Sequence, residues 1–218
     1  MIDPGHGGKD PGALSRNGYQ EKVVNLDVAK RVRKILEENG VKVIMTRDKD
    51  EFITLPERTE IASRSRADLF VSIHANSSPA RSVFGLETYW LRELSAQDKK
   101  EDQRVDNHRL MFKHLAMRKD SKDLDQMLSE MMYLYKQSEA QAFASSAAKN
   151  VTELTRTKNL GRKQARFFVL RNTLIPAVLV EVGFMTNRRE EKNLKLTAYR
   201  QKIAEGLAKT ILDYLNGH

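Results

Sequence analysis

Short apolar runs that end in polar residues dominate the hydrophobic pattern of the chain. The longest covers residues 69–76, and residues 177–182 form a second run of the same kind. Continuous apolar runs of this length are typical of strands that are buried on both faces of a sheet. Together with shorter or alternating segments, the pattern predicts about six strands. One begins at Ile2, and the others cover residues 41–46, 69–76, 85–91, 167–170 and 177–182.

Apolar residues recur at helical spacing between these segments. The periodicity predicts helices over about residues 21–39, 55–66, 124–160 and 198–215. Strands that alternate with helices through short loops are typical of an α/β fold. We therefore predict a single open, twisted, mixed sheet of about six strands that is flanked by helices.

The alternation of strands and helices is interrupted by a charged segment. Residues 94–123 are crowded with charge and only weakly periodic, which is typical of an insertion that is partly loop. The helix that follows has a predicted apolar face formed by Leu124, Leu128, Met131, Tyr135 and Phe143. Glu139 falls on the same face, where a carboxylate is costly unless another group pairs with it. We predict one domain over residues 1–218 with an inserted helical segment at about 92–143.

The composition fits a globular protein of one domain. The chain has 218 residues, of which 40% are hydrophobic and 31% are charged, so it is long enough to bury a core. It contains no cysteine, which excludes disulfides, thiolate metal ligands and cysteine nucleophiles. No apolar run approaches the roughly 20 residues that a membrane span requires. Because Met1 stands just before a motif that a strand should precede, we expect a fragment of a longer precursor.

The charge of the chain favours an anionic partner. The formal net charge is +9, and many of the positive residues crowd into residues 149–171. Such a segment suits nucleic acid, an acidic cell envelope or a carboxylate-rich substrate, and a solvated helix face is the alternative. Only 7% of the residues are aromatic, and they do not interleave with basic residues, which argues against nucleic acid.

Two histidines and two glutamates lie at the ends of predicted elements. His6 follows the first strand, Glu21 begins the first helix and His74 ends the longest apolar run. Two imidazoles and a carboxylate can bind a catalytic zinc ion, which keeps one position open for water. Glu181, at the end of another strand, could then move a proton. The spacing alone is not specific, so a structural role for His74 and a helix-dipole role for Glu21 stay open.

Several blocks of the sequence are long and specific. They are Asp-Pro-Gly-His-Gly-Gly-Lys-Asp-Pro-Gly-Ala at 3–13, Glu-Lys at 21–22, Thr-Arg-Asp at 46–48, Leu-Pro-Glu-Arg at 55–58, Ala-Asp-Leu-Phe-Val-Ser-Ile-His-Ala-Asn at 67–76, and Val-Glu-Val-Gly-Phe-Met-Thr-Asn at 180–187. In this order, over nearly the whole chain, the blocks resemble the zinc-dependent N-acetylmuramoyl-L-alanine amidases of the amidase-3 type.

The resemblance implies a cell-wall hydrolase. The predicted reaction is cleavage of the amide bond between N-acetylmuramic acid and the L-alanine of the stem peptide of peptidoglycan. The resemblance assigns one Zn²⁺ to His6, Glu21 and His74, and it assigns the catalytic role to Glu181.

The inserted segment also has a counterpart in the Gram-negative septal amidases that the chain resembles. There it covers the zinc cleft until an activator protein of the divisome, of the LytM type, draws it away. We therefore expect an autoinhibited, periplasmic and monomeric enzyme that acts in daughter-cell separation. Glu139 is the predicted side chain in the open zinc position, and Asn76 and Arg166 are predicted to contact substrate.

Two other functions stay open. A different zinc hydrolase, such as a carboxypeptidase-like enzyme, would share the metal ligands but would need an arginine for a terminal carboxylate, and the sequence identifies none. A non-catalytic module that binds the cell envelope or the divisome would keep the fold. Loss of Glu181 or of a metal ligand would favour that module, and all four residues are present.

Overall fold

The computed structural model describes residues 1–93 and 122–217, with the backbone alone at residues 122–126 and at Ser129. The first part of the predicted insertion, residues 94–121, lies outside the described residues. Five strands and six helices follow one another in the described parts: β1 (Ile2–Pro4), α1 (Glu21–Glu38), α2 (Leu55–Arg64), β2 (Phe70–Asn76), β3 (Leu86–Leu91), α3 (Lys122–Thr155), β4 (Asn159–Ala165), α4 (Phe168–Arg171), β5 (Ala177–Phe184), α5 (Arg188–Lys195) and α6 (Thr197–Asn216).

The strands form one mixed sheet in the order β1-β2-β5-β3-β4. β1, β2 and β5 are parallel, whereas β3 is antiparallel to β5 and parallel to β4. The amino ends of β3 and β4 therefore lie at the edge where β1, β2 and β5 end. The predicted mixed α/β sheet is confirmed, and this shared edge carries the side chains described in the next subsection.

The strand predicted at residues 41–46 is present only as a segment that lies beside β1. The Ile2 amide donates to the Ile44 carbonyl at 2.8 Å, and the Thr46 amide donates to the Ile2 carbonyl at 3.1 Å. A single parallel bridge joins Ile2 to Met45. Because β1 is only three residues long, it offers little backbone for pairing. The sheet of the described residues therefore has five strands rather than about six.

The strand predicted at residues 167–170 is wrong, because these residues lead into the short helix α4. The strand lies earlier, at β4, which is an edge strand with mostly exposed side chains and so lacks an apolar pattern. The apolar residues Val169 and Leu170 are buried, but they pack against the sheet from a helix. The preceding helix ends at Thr155 rather than at residue 160, and Arg156 has a φ of 58°.

Two apolar clusters cover opposite faces of the sheet. On one face, α1, α6 and the carboxyl-terminal half of α3 pack against the strands. On the other face, α2 and α4 cover residues such as Phe70 and Leu179. Side chains alternate along β2, so Val71 and Ile73 join the first cluster, while His74 lies on the same face as Phe70.

The apolar face predicted for the helix after the insertion is only partly buried. Phe143 is buried, but Leu128, Met131 and Tyr135 are 42%, 60% and 53% exposed. From residue 140 onward, α3 buries small side chains against the sheet and α6. The buried side chains are Ala140, Ala144, Ala147 and Ala148. The prediction followed the large apolar residues, whereas the contact is made mainly by alanines.

Lys136 anchors the amino-terminal half of α3 to α4 and to the turn that follows α4. It is 1% exposed, and its ammonium group donates to the carbonyls of Leu170, at 2.9 Å, and Thr173. Burial lowers the pKa of Lys136 to about 7. The carbonyl of Leu170 belongs to the short helix α4, so this lysine ties two helices of the chain together.

Gly206 in α6 marks a close contact with α3, and its replacement tests that contact. A Cβ on Gly206 would lie 2.7 Å from the Cα of Val151 and 2.9 Å from its backbone nitrogen. In an open helix, Gly→Ala stabilises by roughly 0.5–1 kcal/mol. Here we expect Gly206→Ala to lower the free energy of unfolding by about 1–3 kcal/mol, because the two helices must move apart.

Urea unfolding measures this change. Lys202→Ala, at an exposed position of the same helix, is the matched control and should alter the free energy of unfolding by less than about 0.5 kcal/mol. A Gly206→Ala variant as stable as its parent would contradict the described contact.

Candidate active site

Three side chains from separate elements converge where β1 and β2 end. His6 follows β1, Glu21 is the first residue of α1 and His74 lies near the end of β2. One donor atom from each side chain lies within 4.8 Å of the other two. His6 Nε2 is 3.2 Å from Glu21 Oε2, and His74 Nδ1 is 2.9 Å from Glu21 Oε1. The structure therefore brings together the three predicted metal ligands, and we call them the His6–Glu21–His74 cluster.

Glu21 is a buried carboxylate at the centre of this cluster and is 4% exposed. The backbone amides of Ala13 and Ala75 donate to it at 2.7 and 3.1 Å, and Asn25 Nδ2 donates at 3.0 Å. Burial alone would raise the pKa of Glu21, but hydrogen bonds and charge from the two histidines of the cluster lower it far below its usual value. Glu21 is thus held as an anion.

Two glycines let the backbone approach the cluster. A Cβ on Gly5 would lie 2.2 Å from the ring of His74. Gly12 has a φ of +67°, and a Cβ there would lie 2.6 Å from both Glu21 Oε2 and His6 Cδ2. Another residue at either position would displace a member of the cluster, so the glycine-rich opening of the chain serves this close approach.

Two buried arginines hold the loop that carries His6. Arg47 is 2% exposed and donates to the carbonyls of Pro4 and Gly5 at 3.0 and 2.8 Å. Arg58 is 3% exposed and donates to the carbonyls of Pro4 and His6 at 2.7 and 2.8 Å. These guanidinium groups fix the direction in which the loop leaves β1, and hence the position of His6.

Asp3 of β1 neutralises one of these arginines. It is 1% exposed and lies 2.6 Å from Arg58 Nη1. The hydroxyls of Thr46 and Ser72 donate to its carboxylate at 2.7 and 2.8 Å. Burial would raise the pKa of Asp3, but Arg58 and the two hydroxyls lower it below its usual value. Sequence reasoning assigned these four residues no role, although all of them lie in the blocks that carry the family resemblance.

The cluster fits a divalent metal ion with an open position. A tetrahedral zinc ion with ligand distances of about 2.1 Å places its donor atoms about 3.4 Å apart. Each histidine nitrogen lies close to that distance from a Glu21 oxygen, at 3.2 and 2.9 Å, and one donor atom from each of the three side chains lies within 4.8 Å of the others. His6 Nδ1 meets Asp10 Oδ2 at 2.7 Å, a second contact that is common for metal-binding histidines and leaves Nε2 for the metal. These residues could therefore hold a metal ion.

Glu181 of β5 lies beside the cluster. It pairs in register with His74 on one side and with Glu87 of β3 on the other. Its Oε2 atom is buried and has no hydrogen-bond partner among the described residues. Burial, followed by the negative charges of Glu21 and Glu87, raises the pKa of Glu181 well above its usual value. A carboxyl group with a raised pKa is suited both to accept and to donate a proton.

The neighbouring glutamate, Glu87, has donors for both of its oxygens. Tyr89 Oη and Asn76 Nδ2 donate to Glu87 Oε2 at 2.7 and 3.2 Å, and the ammonium group of Lys163 donates to Oε1. Glu87 is 3% exposed. Sequence reasoning did not single it out, because the antiparallel direction of β3 that places Glu87 opposite Glu181 leaves no local signal.

The two predicted substrate contacts lie in different places. Asn76 ends β2 and is bonded to Glu87, next to Glu181. Arg166 follows β4, and its Nη1 donates to the carbonyl of Arg92 at 3.1 Å. Because β3 and β4 run opposite to β5, this contact lies at the edge of the sheet where β5 begins. The structure does not bring Arg166 to the cluster.

Glu139 also lies away from the cluster. Burial raises the pKa of Tyr214, and so do the neighbouring side chains of Tyr135, Glu139 and Asp68. Glu139 and Asp68 therefore lie in the same region, around Tyr214. Asp68 lies two residues before the start of β2, whereas His74 lies near the other end of that strand. The position of Glu139 therefore does not support the predicted contact with the open zinc position.

A comparison with protein families identifies the chain. The family model described as N-acetylmuramoyl-L-alanine amidase, Amidase_3, matches residues 1–213. The chain belongs to this family. As a member, it is an enzyme of the amidase class that acts on peptidoglycan, and the family resemblance read from the sequence blocks is confirmed.

Individual relatives agree with this membership. The chain is similar to the N-acetylmuramoyl-L-alanine amidases AmiA of Salmonella typhimurium, at 38% identity over 229 residues, and of Escherichia coli, at 35% over 229 residues; each match covers 99% of this chain and 75% of the relative. The solved structure of amidase AmiC2 of Nostoc punctiforme matches with a TM-score of 0.75 and 36% identity, covering 99% of this chain and 95% of that one. Among the described helices, none is long and apolar enough to cross a membrane.

Replacing Gly5 tests the close approach of backbone and cluster. Gly5→Ala should weaken zinc binding by about 10-fold or more, because the added methyl group displaces the His74 ring. Isothermal titration with zinc measures the affinity. Gly40→Asn is the control, because Gly40 has open space around it and asparagine tolerates its φ of +78°. Unchanged zinc affinity in Gly5→Ala would contradict the described packing.

Replacing Arg58 tests the buried ion pair under the cluster. Arg58→Met should lower the free energy of unfolding by about 3–5 kcal/mol, because it leaves the Asp3 carboxylate buried without its cation. The double variant Asp3→Asn/Arg58→Met should lose less, because no unpaired charge stays buried. Urea unfolding compares them, with the exposed pair of Lys209 and Asp213 as control, where Lys209→Met should cost less than about 1 kcal/mol. A double variant that loses as much as Arg58→Met would refute this account.

Proposed function

We propose that the chain is a zinc-dependent N-acetylmuramoyl-L-alanine amidase that hydrolyses the amide bond between the lactyl group of N-acetylmuramic acid and the L-alanine of the stem peptide. The observation that carries this proposal is the convergence of His6, Glu21 and His74 beside Glu181, whose free Oε2 atom has no donor among the described residues. A non-catalytic module would have no use for a buried carboxylate kept unpaired at this place.

His6, Glu21 and His74 would hold one zinc ion. Two imidazole nitrogens and a carboxylate oxygen form a donor set that catalytic zinc sites use. Asp10 orients His6, and the backbone amides around Glu21 fix its carboxylate. Zinc bound there would supply a Lewis acid that activates water and polarises the scissile carbonyl.

Glu181 is the proton carrier of the proposed reaction. It accepts a proton from the attacking water and passes it to the nitrogen of the departing L-alanine, so that a carboxylic acid and an amine are the products. Its buried position and raised pKa suit both halves of this transfer. Asn76 donates to Glu87, the residue opposite Glu181, and this position supports the proposal that Asn76 contacts the substrate.

The wider setting is proposed from the relatives and the substrate. The relatives in Salmonella typhimurium and Escherichia coli are named amidases of Gram-negative organisms, and peptidoglycan lies outside the cytoplasmic membrane, so we place this enzyme in the periplasm. The amino-terminal half of α3 has exposed apolar side chains, which are Met127, Leu128, Met131, Leu134 and Tyr135. Their exposure favours a protein partner for the segment at 92–143, as expected for a divisome activator. Autoinhibition and a role in cell separation stay predictions, and Glu139 does not support the first.

Metal content and product release together test the proposal. Purified protein should bind one zinc ion, and zinc-loaded protein should release stem peptides with a free amino-terminal L-alanine from peptidoglycan. Glu181→Gln should bind zinc like its parent but lose at least about 100-fold in kcat, because the proton carrier is missing. Chelation of the metal should abolish release, and added zinc should restore it.

The matched control is Glu205→Gln at an exposed position of α6, which should keep full activity. A Glu181→Gln variant that releases stem peptides as fast as Glu205→Gln would overturn the assigned role of Glu181. Failure of the His74→Ala variant to lose zinc would overturn the assigned metal site.

A further inference from the structure

A lysine of β4 binds Glu87, which lies on the strand between β4 and the proposed proton carrier Glu181. Lys163 of β4 is on the same face of the sheet as Glu87 and Glu181, because it pairs with Tyr89, two residues from Glu87. Its side chain crosses one strand spacing, about 4.8 Å, and runs diagonally along the sheet to reach the Glu87 carboxylate. Glu181 lies directly opposite Glu87 on the far side of β3, whereas Lys163 is in the row of Tyr89 and Leu179.

An ammonium group on Glu181 would be harmful to the proposed reaction. A lysine that donates to a buried carboxylate forms a charge-assisted hydrogen bond. This bond holds the carboxylate as an anion and occupies one of the carboxylate oxygens. Glu181 would then be a poor proton donor to the departing nitrogen. The free Oε2 atom of Glu181 indicates that nothing in the described structure takes this position.

Glu87 has the features of a group that holds the lysine back. It is buried and it accepts from Lys163 at Oε1, while Tyr89 and Asn76 fix Oε2. Its carboxylate therefore cannot turn away from the lysine without losing two further hydrogen bonds. The Lys163 side chain is 45% exposed, so without Glu87 it would be mobile enough to seek another anion.

We propose that Glu87 is a positioning residue of the amidase reaction, which binds the ammonium group of Lys163 and thereby keeps it off the Glu181 carboxylate. This inference rests on the proposed role of Glu181 as proton carrier. It assigns Glu87 a purpose beyond packing: the negative charge of one glutamate protects the proton-transfer function of its neighbour.

Removing the charge of Glu87 alone, and then the charges of Glu87 and Lys163 together, distinguishes this role from a structural one. Glu87→Gln keeps the size of the side chain and an acceptor for Tyr89, but it frees Lys163. Its kcat on a soluble muropeptide should fall at least about 10-fold, with a smaller change in KM, because Lys163 now pairs with Glu181. Addition of Lys163→Met should restore kcat to within about threefold of the Lys163→Met single variant, because the competing cation is gone.

The control for the rescue is Glu87→Gln/Arg162→Met. Arg162 is next to Lys163 on β4 but faces the other side of the sheet, where it donates to Ser145 of α3. This variant removes the same charge from the same strand and should stay as slow as Glu87→Gln. Zinc content and urea unfolding are measured for every variant, so that a loss of metal or of fold is seen directly.

The outcomes separate this inference from the function on which it rests. An active Glu181→Gln variant would overturn the role of Glu181 and this inference with it. If Glu181→Gln is inactive but Glu87→Gln is as fast as its parent, or if Lys163→Met gives no rescue, the role of Glu181 stands and the role of Glu87 is refuted. Equal rescue by Arg162→Met would also refute it, because the effect would then be one of general charge.

Discussion

The burial of the Glu21 carboxylate is the constraint on which the rest of the site depends. A buried anion is costly unless several groups compensate it. Here two backbone amides, Asn25, His6 and His74 surround it. The histidines come from the ends of two parallel strands, and a glycine in the loop after β1 provides the space for the His74 ring. The same arrangement that compensates Glu21 also creates a donor set for a metal ion.

The direction of β3 gives the site its second feature. Because β3 is antiparallel to β5, Glu87 lies directly opposite Glu181 at the active edge of the sheet. The two glutamates have opposite surroundings: donors occupy both oxygens of Glu87, whereas Oε2 of Glu181 has none among the described residues. Neighbouring carboxyl groups in unlike environments are a common basis for separate acid and base roles. In this chain the difference follows from one strand's direction and from Lys163 on the next strand.

The local pattern of the sequence predicted the elements whose periodicity is strong. β2, β5, α1 and α6 are where the apolar residues placed them, and the family blocks named the three residues of the cluster. The pattern did not predict the elements whose sequence is not determined by burial in the core or is too short to show a period. β4 is a polar edge strand, and α4 is an apolar segment too short to show a helical period. The positions of Glu87, Arg166 and Glu139 depend on strand direction and helix placement. These are long-range properties that no local pattern encodes.

Crystallographic location of zinc tests the central claim most directly. In crystals grown with zinc, anomalous difference density at the zinc edge should appear as one peak bonded to His6, Glu21 and His74, with the Glu181 carboxyl group facing the open coordination position. Zinc bound at other residues, or a peak from which Glu181 is turned away, would contradict the account of this edge of the sheet as an amidase active site.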